Sequence, residues 1–134
     1  MIKTLQPSGW ATPRGFANGV KARGTLLFTG GQVGWDAQCR FHSSRLTDQV
    51  RQTLLNIVHI LEEGGAKPQH IVRLTWYVAD KREYLAESKE IGAVYRDVIG
   101  PHYPAMSVVE VAALVEDAAR VEIEATAVIP DPAL

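Results

Sequence analysis

A single cysteine, Cys39, leaves the chain without a second thiol to close a disulfide, which fits a reducing compartment. Its setting, Ala37-Gln38-Cys39-Arg40, is turn-like and carries no thiol-enzyme signature, so it reads as an ordinary loop thiol. Net charge is equally scarce: 14 Lys and Arg stand against 15 Asp and Glu, a formal balance of −1. Without surplus positive charge nothing draws the chain to a phosphate backbone or an anionic lipid surface, so neither nucleic acid nor membrane is an expected partner. No apolar run approaches the ~20 residues of a spanning helix, and the opening MIKTLQPSGW lacks an apolar signal core; the expected location is the cytoplasm. The histidines His42, His59, His70 and His102 lack ligand spacing, and neither Gly30-Gly31 nor Gly64-Gly65 follows a phosphate-loop or dinucleotide pattern. No metal and no cofactor is expected.

What is present is the balance of a packed domain, 46% hydrophobic and 22% charged over 134 residues. One domain over 1–134 is expected, with short flexible ends at about 1–12 and 130–134. Residues 19–23 and 25–29, separated by Gly24, read as two strands of a tight hairpin. From 46 to 63, Leu46, Val50, Leu54, Ile57, Val58 and Leu61 recur at helical spacing, and Gly64-Gly65 supplies the stop. The β-branched and aromatic stretch 71–78 predicts a buried strand, and 81–99 a second helix closed by Gly100-Pro101. Two further strands are expected at 106–114 and 121–129, the latter alternating Val121, Ile123, Ala125 and Ala127 with Glu122, Glu124 and Thr126. The predicted class is α+β, in the order β-β-α-β-α-β-β, with two helices on one sheet face and the opposite face left for association.

Four segments carry a resemblance. Leu27-Phe28-Thr29-Gly30-Gly31-Gln32 is similar to the L-F-[VT]-S-G-Q segment of the reactive intermediate deaminase (Rid, YjgF-type) family, and 49–57 is similar to its Q-T-x-x-x-L-x-N helix. Tyr103-Pro104-Ala105-Met106-Ser107-Val108-Val109-Glu110-Val111 resembles the P-A-R-S-x-V-E-V signature, and Val121-Glu122-Ile123-Glu124-Ala125 the closing V-E-I-E-A strand. The resemblance, which covers about 14–128, implies a chorismate-mutase-like fold, a homotrimer with small-molecule clefts between subunits, and hydrolysis of enamines or imines to a carbonyl compound and ammonia. It assigns Glu122 to orienting or activating water, and it puts Phe16, Gly30 and Met106 at cleft positions; Gly31 and Val108, beside these in the matched segments, and Trp35 and His102, by their own nearness to them, are further candidates for substrate binding.

The chain departs from that pattern where charge matters most. Met106 stands in the place of the arginine that grips the substrate carboxylate, exchanging a bidentate cation for an apolar thioether. Gly15-Phe16-Ala17-Asn18-Gly19 replaces P-Y-S-Q-A, Gly30 a serine, and Gly92 an asparagine. A substrate other than the standard 2-imino acid is therefore expected.

For several of these residues two readings stay open. Glu122 is either the water-activating carboxylate or a solvated glutamate on the polar face of a strand. His102 either brings a proton to the cleft or is a loop histidine, and Trp35 either lines the pocket or packs in a core. Arg14 and Arg96 either replace the missing cation or solvate the surface. Function divides likewise between an imine or enamine hydrolase with Glu122 at its centre and a non-catalytic trimer that binds a metabolite. The ribonuclease role attached to some relatives finds no support in the charge balance.

Overall fold

The computed structural model describes residues 1–132. Along the chain run β1 (Ile2–Leu5), β2 (Gly19–Ala22), β3 (Gly24–Phe28), β4 (Gln32–Val33), α1 (Leu46–Glu63), β5 (Ile71–Val78), α2 (Lys81–Ala86), α3 (Ser88–Val98), β6 (Ala105–Glu110) and β7 (Val121–Pro130). The class is the α+β one predicted. The main sheet has the order β3-β7-β5-β6, with β4 also on β7; only the β5–β6 pair is parallel.

The α1 helix keeps the bounds its periodicity predicts, and Leu46, Val50, Leu54, Ile57 and Leu61 are fully or almost fully buried along it. Each such aliphatic side chain contributes about 1.5–3 kcal/mol. They meet Leu74, Trp76 and Val78 of β5 and Val121, Ile123, Ala125 and Ala127 of β7, while α3 adds Ile91, Val94 and Tyr95 to the same core. Register then fixes what lies on each face. Leu74 and Trp76 pair with Met106 and Val108, which therefore face the helices; Tyr77 pairs with Glu122 and Val109, and Thr75 with Glu124, which face away. No helix among the described residues is long and apolar enough to cross a membrane.

Four predicted features differ. Residues 19–28 do not form a hairpin: β2 pairs with β1, and β3 pairs with β7. Gly24 is explained instead by close approach, since a Cβ there would lie 1.9 Å from the Ile129 carbonyl oxygen, at φ +151. Ile2–Leu5, inside the stretch predicted as a flexible end, is the strand that takes β2; of the end predicted at 130–134, residues 133 and 134 lie outside the described residues. The single helix expected over 81–99 breaks at Glu87 (φ −101, ψ 11), whose Oε1 accepts hydrogen bonds from the Thr47 backbone N–H and hydroxyl. Because Arg45 gives α1 no side-chain cap, Glu87 satisfies one of its orphan donors from outside. Finally, β6 stops at Glu110, opposite Val78, because its neighbour β5 ends there.

The turn after β4 is tied together by Asp36, which accepts from the backbone of Gln38 and Arg40 and lies 2.6 Å from Nε2 of His42. The His42 hydrogen bond foremost, then that from Arg40, holds the Asp36 carboxyl at about 2. A carboxylate depressed from 3.8 contributes stability above that pH and loses it as pH falls towards 2. Urea denaturation between pH 5 and pH 2 is therefore expected to show a smaller acid loss for Asp36→Asn than for the natural protein. Equal losses would show that the turn is uncoupled from folding.

Candidate active site

A cavity of about 470 Å³ opens on the helix side of the β6 edge. Three features of the sequence build it. The opening loop is tied to the start of β6, with Ala17 N–H donating to the Pro104 carbonyl at 2.9 Å, and this sets Arg14, Gly15 and Phe16 along one side. Met106 and Val108 rise from β6, and Trp76 from β5, as the floor. Tyr84, Gly92, Tyr95 and Arg96 form the helical wall.

The aromatic part of the wall is tied together by stacking and a hydrogen bond. Tyr95 stacks on Tyr103 at 5.4 Å and 15°, and its hydroxyl donates to the His102 carbonyl at 2.6 Å. Burial, with Tyr103 beside it, holds the Tyr95 phenol well above its ordinary range, so it stays neutral at any physiological pH. Burial likewise raises Tyr84, which meets Trp76 edge-on at 6.3 Å. Trp76 is 2% exposed, and its Nε1 is the one buried side-chain nitrogen or oxygen among the described residues without a hydrogen-bond partner.

On the opposite face of the sheet sits Glu122. Its carboxylate presses on Gly31, where a Cβ would lie 2.2 Å from Oε2, so position 31 admits no side chain without displacing the carboxylate. Tyr77 pairs with it in register and donates its hydroxyl to Glu124 at 2.8 Å. That hydrogen bond raises the Tyr77 phenol, with desolvation and the charges of Glu124 and Glu122 adding to it. The β4 backbone beside this carboxylate is held by Asn56, which donates to the carbonyls of Val33 and Trp35 at 3.2 and 2.8 Å. Leu26, Phe28 and Val109 share this face and are 58%, 70% and 46% exposed.

Of the residues singled out from the sequence, Phe16, Met106 and Val108 come together in the cavity, and Gly31 and Glu122 come together on the other face. Trp35 lines neither place; its ring lies 5.7 Å from Phe41, across an isolated bridge. Gly30 has nothing within 4 Å of where a Cβ would sit. His102 is turned inward, Nε2 donating to the Ile71 carbonyl at 2.7 Å, and so fastens the loop before β6 to the start of β5. Sequence reading missed Trp76, Tyr84, Tyr95 and Tyr103 as cavity residues: helical spacing puts Tyr84 and Tyr95 on an apolar helix face, Trp76 reads as part of a buried strand, and Tyr103 reads only as part of the signature segment. The cluster of aromatics converging on the Met106 edge was the available signal.

Fold and site together define a small α+β domain with an aromatic-lined cavity of small-molecule size at its sheet edge. The profile of the family described as endoribonuclease L-PSP matches residues 10–129. A RutC family protein of Pasteurella multocida is 34% identical over 105 residues, covering 78% of this chain and 81% of that protein. A 2-iminobutanoate/2-iminopropanoate deaminase of Salmonella typhimurium is 34% identical over 108 residues, covering 78% and 80%. Among solved structures, the Rid family protein YyfB of Yersinia pestis superposes with a TM-score of 0.84 at 31% identity, covering 96% of this chain and 98% of the other. Escherichia coli TdcF with bound serine gives 0.68 at 30%, covering 95% and 98%. The chain belongs to the Rid family, the one whose members include RutC-type proteins and imine deaminases.

Proposed function

We propose that this protein hydrolyses a small imine or enamine in a cleft completed by a second copy of the chain, as a homotrimer. The observation that carries the reading is the division of the site between two faces: in one chain Met106 and the cavity lie on the helix side of the sheet and Glu122 on the other. One subunit cannot bring a ligand in its cavity to its own Glu122 through the sheet. A second subunit laying its open face over the cavity brings a carboxylate to the ligand and at the same time covers Leu26, Phe28 and Val109. Relatives at 33–34% identity named as iminobutanoate/iminopropanoate deaminases support the chemistry.

In that cleft Glu122 takes a proton from water as the water oxygen bonds to the imine carbon. That proton passes to nitrogen to give a carbinolamine; Glu122 then takes the proton of its new hydroxyl and delivers it to nitrogen as the C–N bond breaks, so that ammonia leaves and a carbonyl remains. Met106 supplies no charge for the substrate, and a carboxylate set against it without another cation would lose several kcal/mol. The substrate therefore differs from 2-aminoacrylate in where its charge lies.

The test is ammonia release from 2-aminoacrylate, generated in situ by a pyridoxal-phosphate dehydratase, by the natural protein, by Met106→Arg and without protein. Turnover by the Met106→Arg protein at least about tenfold above the natural one is expected, from restoring a charge-assisted hydrogen bond in the same framework. No turnover above the uncatalysed rate in either would favour the non-catalytic, metabolite-binding trimer.

A further inference from the structure

The cavity wall carries two guanidinium groups and no carboxylate. Arg14 comes from the opening loop and Arg96 from α3, and among the described residues neither forms an ion pair. Both side chains are exposed, so their charges stand at the mouth above an apolar floor of Met106, Val108 and Trp76.

Arg96 runs beside a residue of its own helix that has no side chain. A helical side chain lies back over the turn before its own Cα, so residue 96 covers residue 92. Residue 92 is glycine, and Nη1 of Arg96 lies 3.5 Å from where a Cβ at that position would be. Gly92 is itself part of the cavity wall. A glycine inside a helix is destabilising relative to alanine. Here it leaves free the strip of helix surface along which the guanidinium leans towards the space over Met106.

We infer that the cavity binds a small carboxylate with a ring-sized apolar body, and that Arg96, leaning over Gly92, holds the carboxylate which residue 106 cannot, with Arg14 as the second cation across the mouth. The inference rests on the reading that this cavity is where the substrate sits, and it names the substrate's class. Charge and lining agree on that class. Two cations without an acidic neighbour favour an anion, and the aromatic and thioether walls favour an apolar body that fills the 470 Å³. A body as small as 2-aminoacrylate leaves most of that space unfilled. A cation on the helix, in place of one on the sheet floor, suits a longer ligand. Arg96 is a specificity-determining residue in this scheme, acting on the ligand's far end.

Calorimetric titration of the purified full chain with phenylacetate, and with phenylacetamide as its neutral isostere, tests this. The natural protein is expected to bind phenylacetate at least about tenfold more tightly, as a bidentate guanidinium contact provides, with the preference shrinking as salt is raised. Arg96→Gln removes the preference and leaves phenylacetamide binding unchanged, while Arg96→Lys keeps part of it. Gly92→Leu, which retains both cations but blocks the strip, weakens phenylacetate in the same direction. The assignment is overturned if the natural protein does not prefer the carboxylate, if Arg96→Gln keeps the preference, or if that variant loses both ligands equally. Because these are equilibrium measurements, they fail or succeed independently of turnover, which tests the hydrolase reading through Glu122.

Discussion

Glu122→Gln is expected to lower kcat for imine hydrolysis by about 10²–10⁴-fold, the range that a positioned general base supplies. The substitution keeps the side chain's length and shape, so its fit against Gly31 is retained, but a carboxamide takes no proton from water. Ammonia and carbonyl release follow the chemical step, and light scattering follows the assembly. Unchanged mass with turnover lost is the expected pair of results. If Glu122 served only to solvate the sheet or hold the interface, turnover would survive in whatever fraction remained assembled. Gly31→Ala provides a second view, since its methyl group collides with Oε2 and must displace the carboxylate while leaving it charged. Its loss of kcat should approach that of Glu122→Gln, because a base displaced by an ångström abstracts poorly.

Much of this framework was legible in residue periodicity. Helix α1 and strand β5 fall where apolar spacing and β-branched residues put them, since each buries one continuous stripe or face in the core. The alternation of 121–129 correctly separates a buried face from a polar one. Periodicity failed where the deciding partner is distant in sequence. Gly24 signalled a turn but answers to β7, a hundred residues on, and the break at Glu87 exists to serve the start of α1. The site was half legible for the same reason. The motif containing Met106 and that containing Glu122 were both visible, but that they lie on opposite faces follows only from the register of β5 between β6 and β7. The aromatics near Met106 hinted at the cavity, but spacing alone does not separate the stacked pair Tyr95 and Tyr103 from a core pair.

The largest loss of stability from a single polar residue is expected at Gln49. Its side chain is 1% exposed; Nε2 donates to the carbonyls of Ser43 and Ala118 at 3.0 and 2.9 Å, and Oε1 accepts from the Arg120 backbone N–H at 2.7 Å. One amide therefore fastens the start of α1 to the loop that leads into β7. Gly34 lies against it so closely that a Cβ would stand 2.6 Å from Gln49 Cβ, which packs the strand-β4 side of the site onto the same residue. Gln49→Leu keeps most of the volume but takes this partner from three part-buried backbone groups, at about 0.5–1.5 kcal/mol for each hydrogen bond lost. A total loss of about 2–4 kcal/mol is expected, read as a lower urea midpoint with an unchanged slope at matched protein concentration. Thr53→Val is the control. Thr53 is as deeply buried, but its hydroxyl bonds only to the Gln49 carbonyl one turn back, a local helical contact, so its loss costs about 0.5–1.5 kcal/mol. Comparable losses in the two variants would mean that the loop before β7 finds other partners. A much larger loss for Gln49→Leu ties the placement of Glu122, two residues beyond Arg120, to an amide in the first helix.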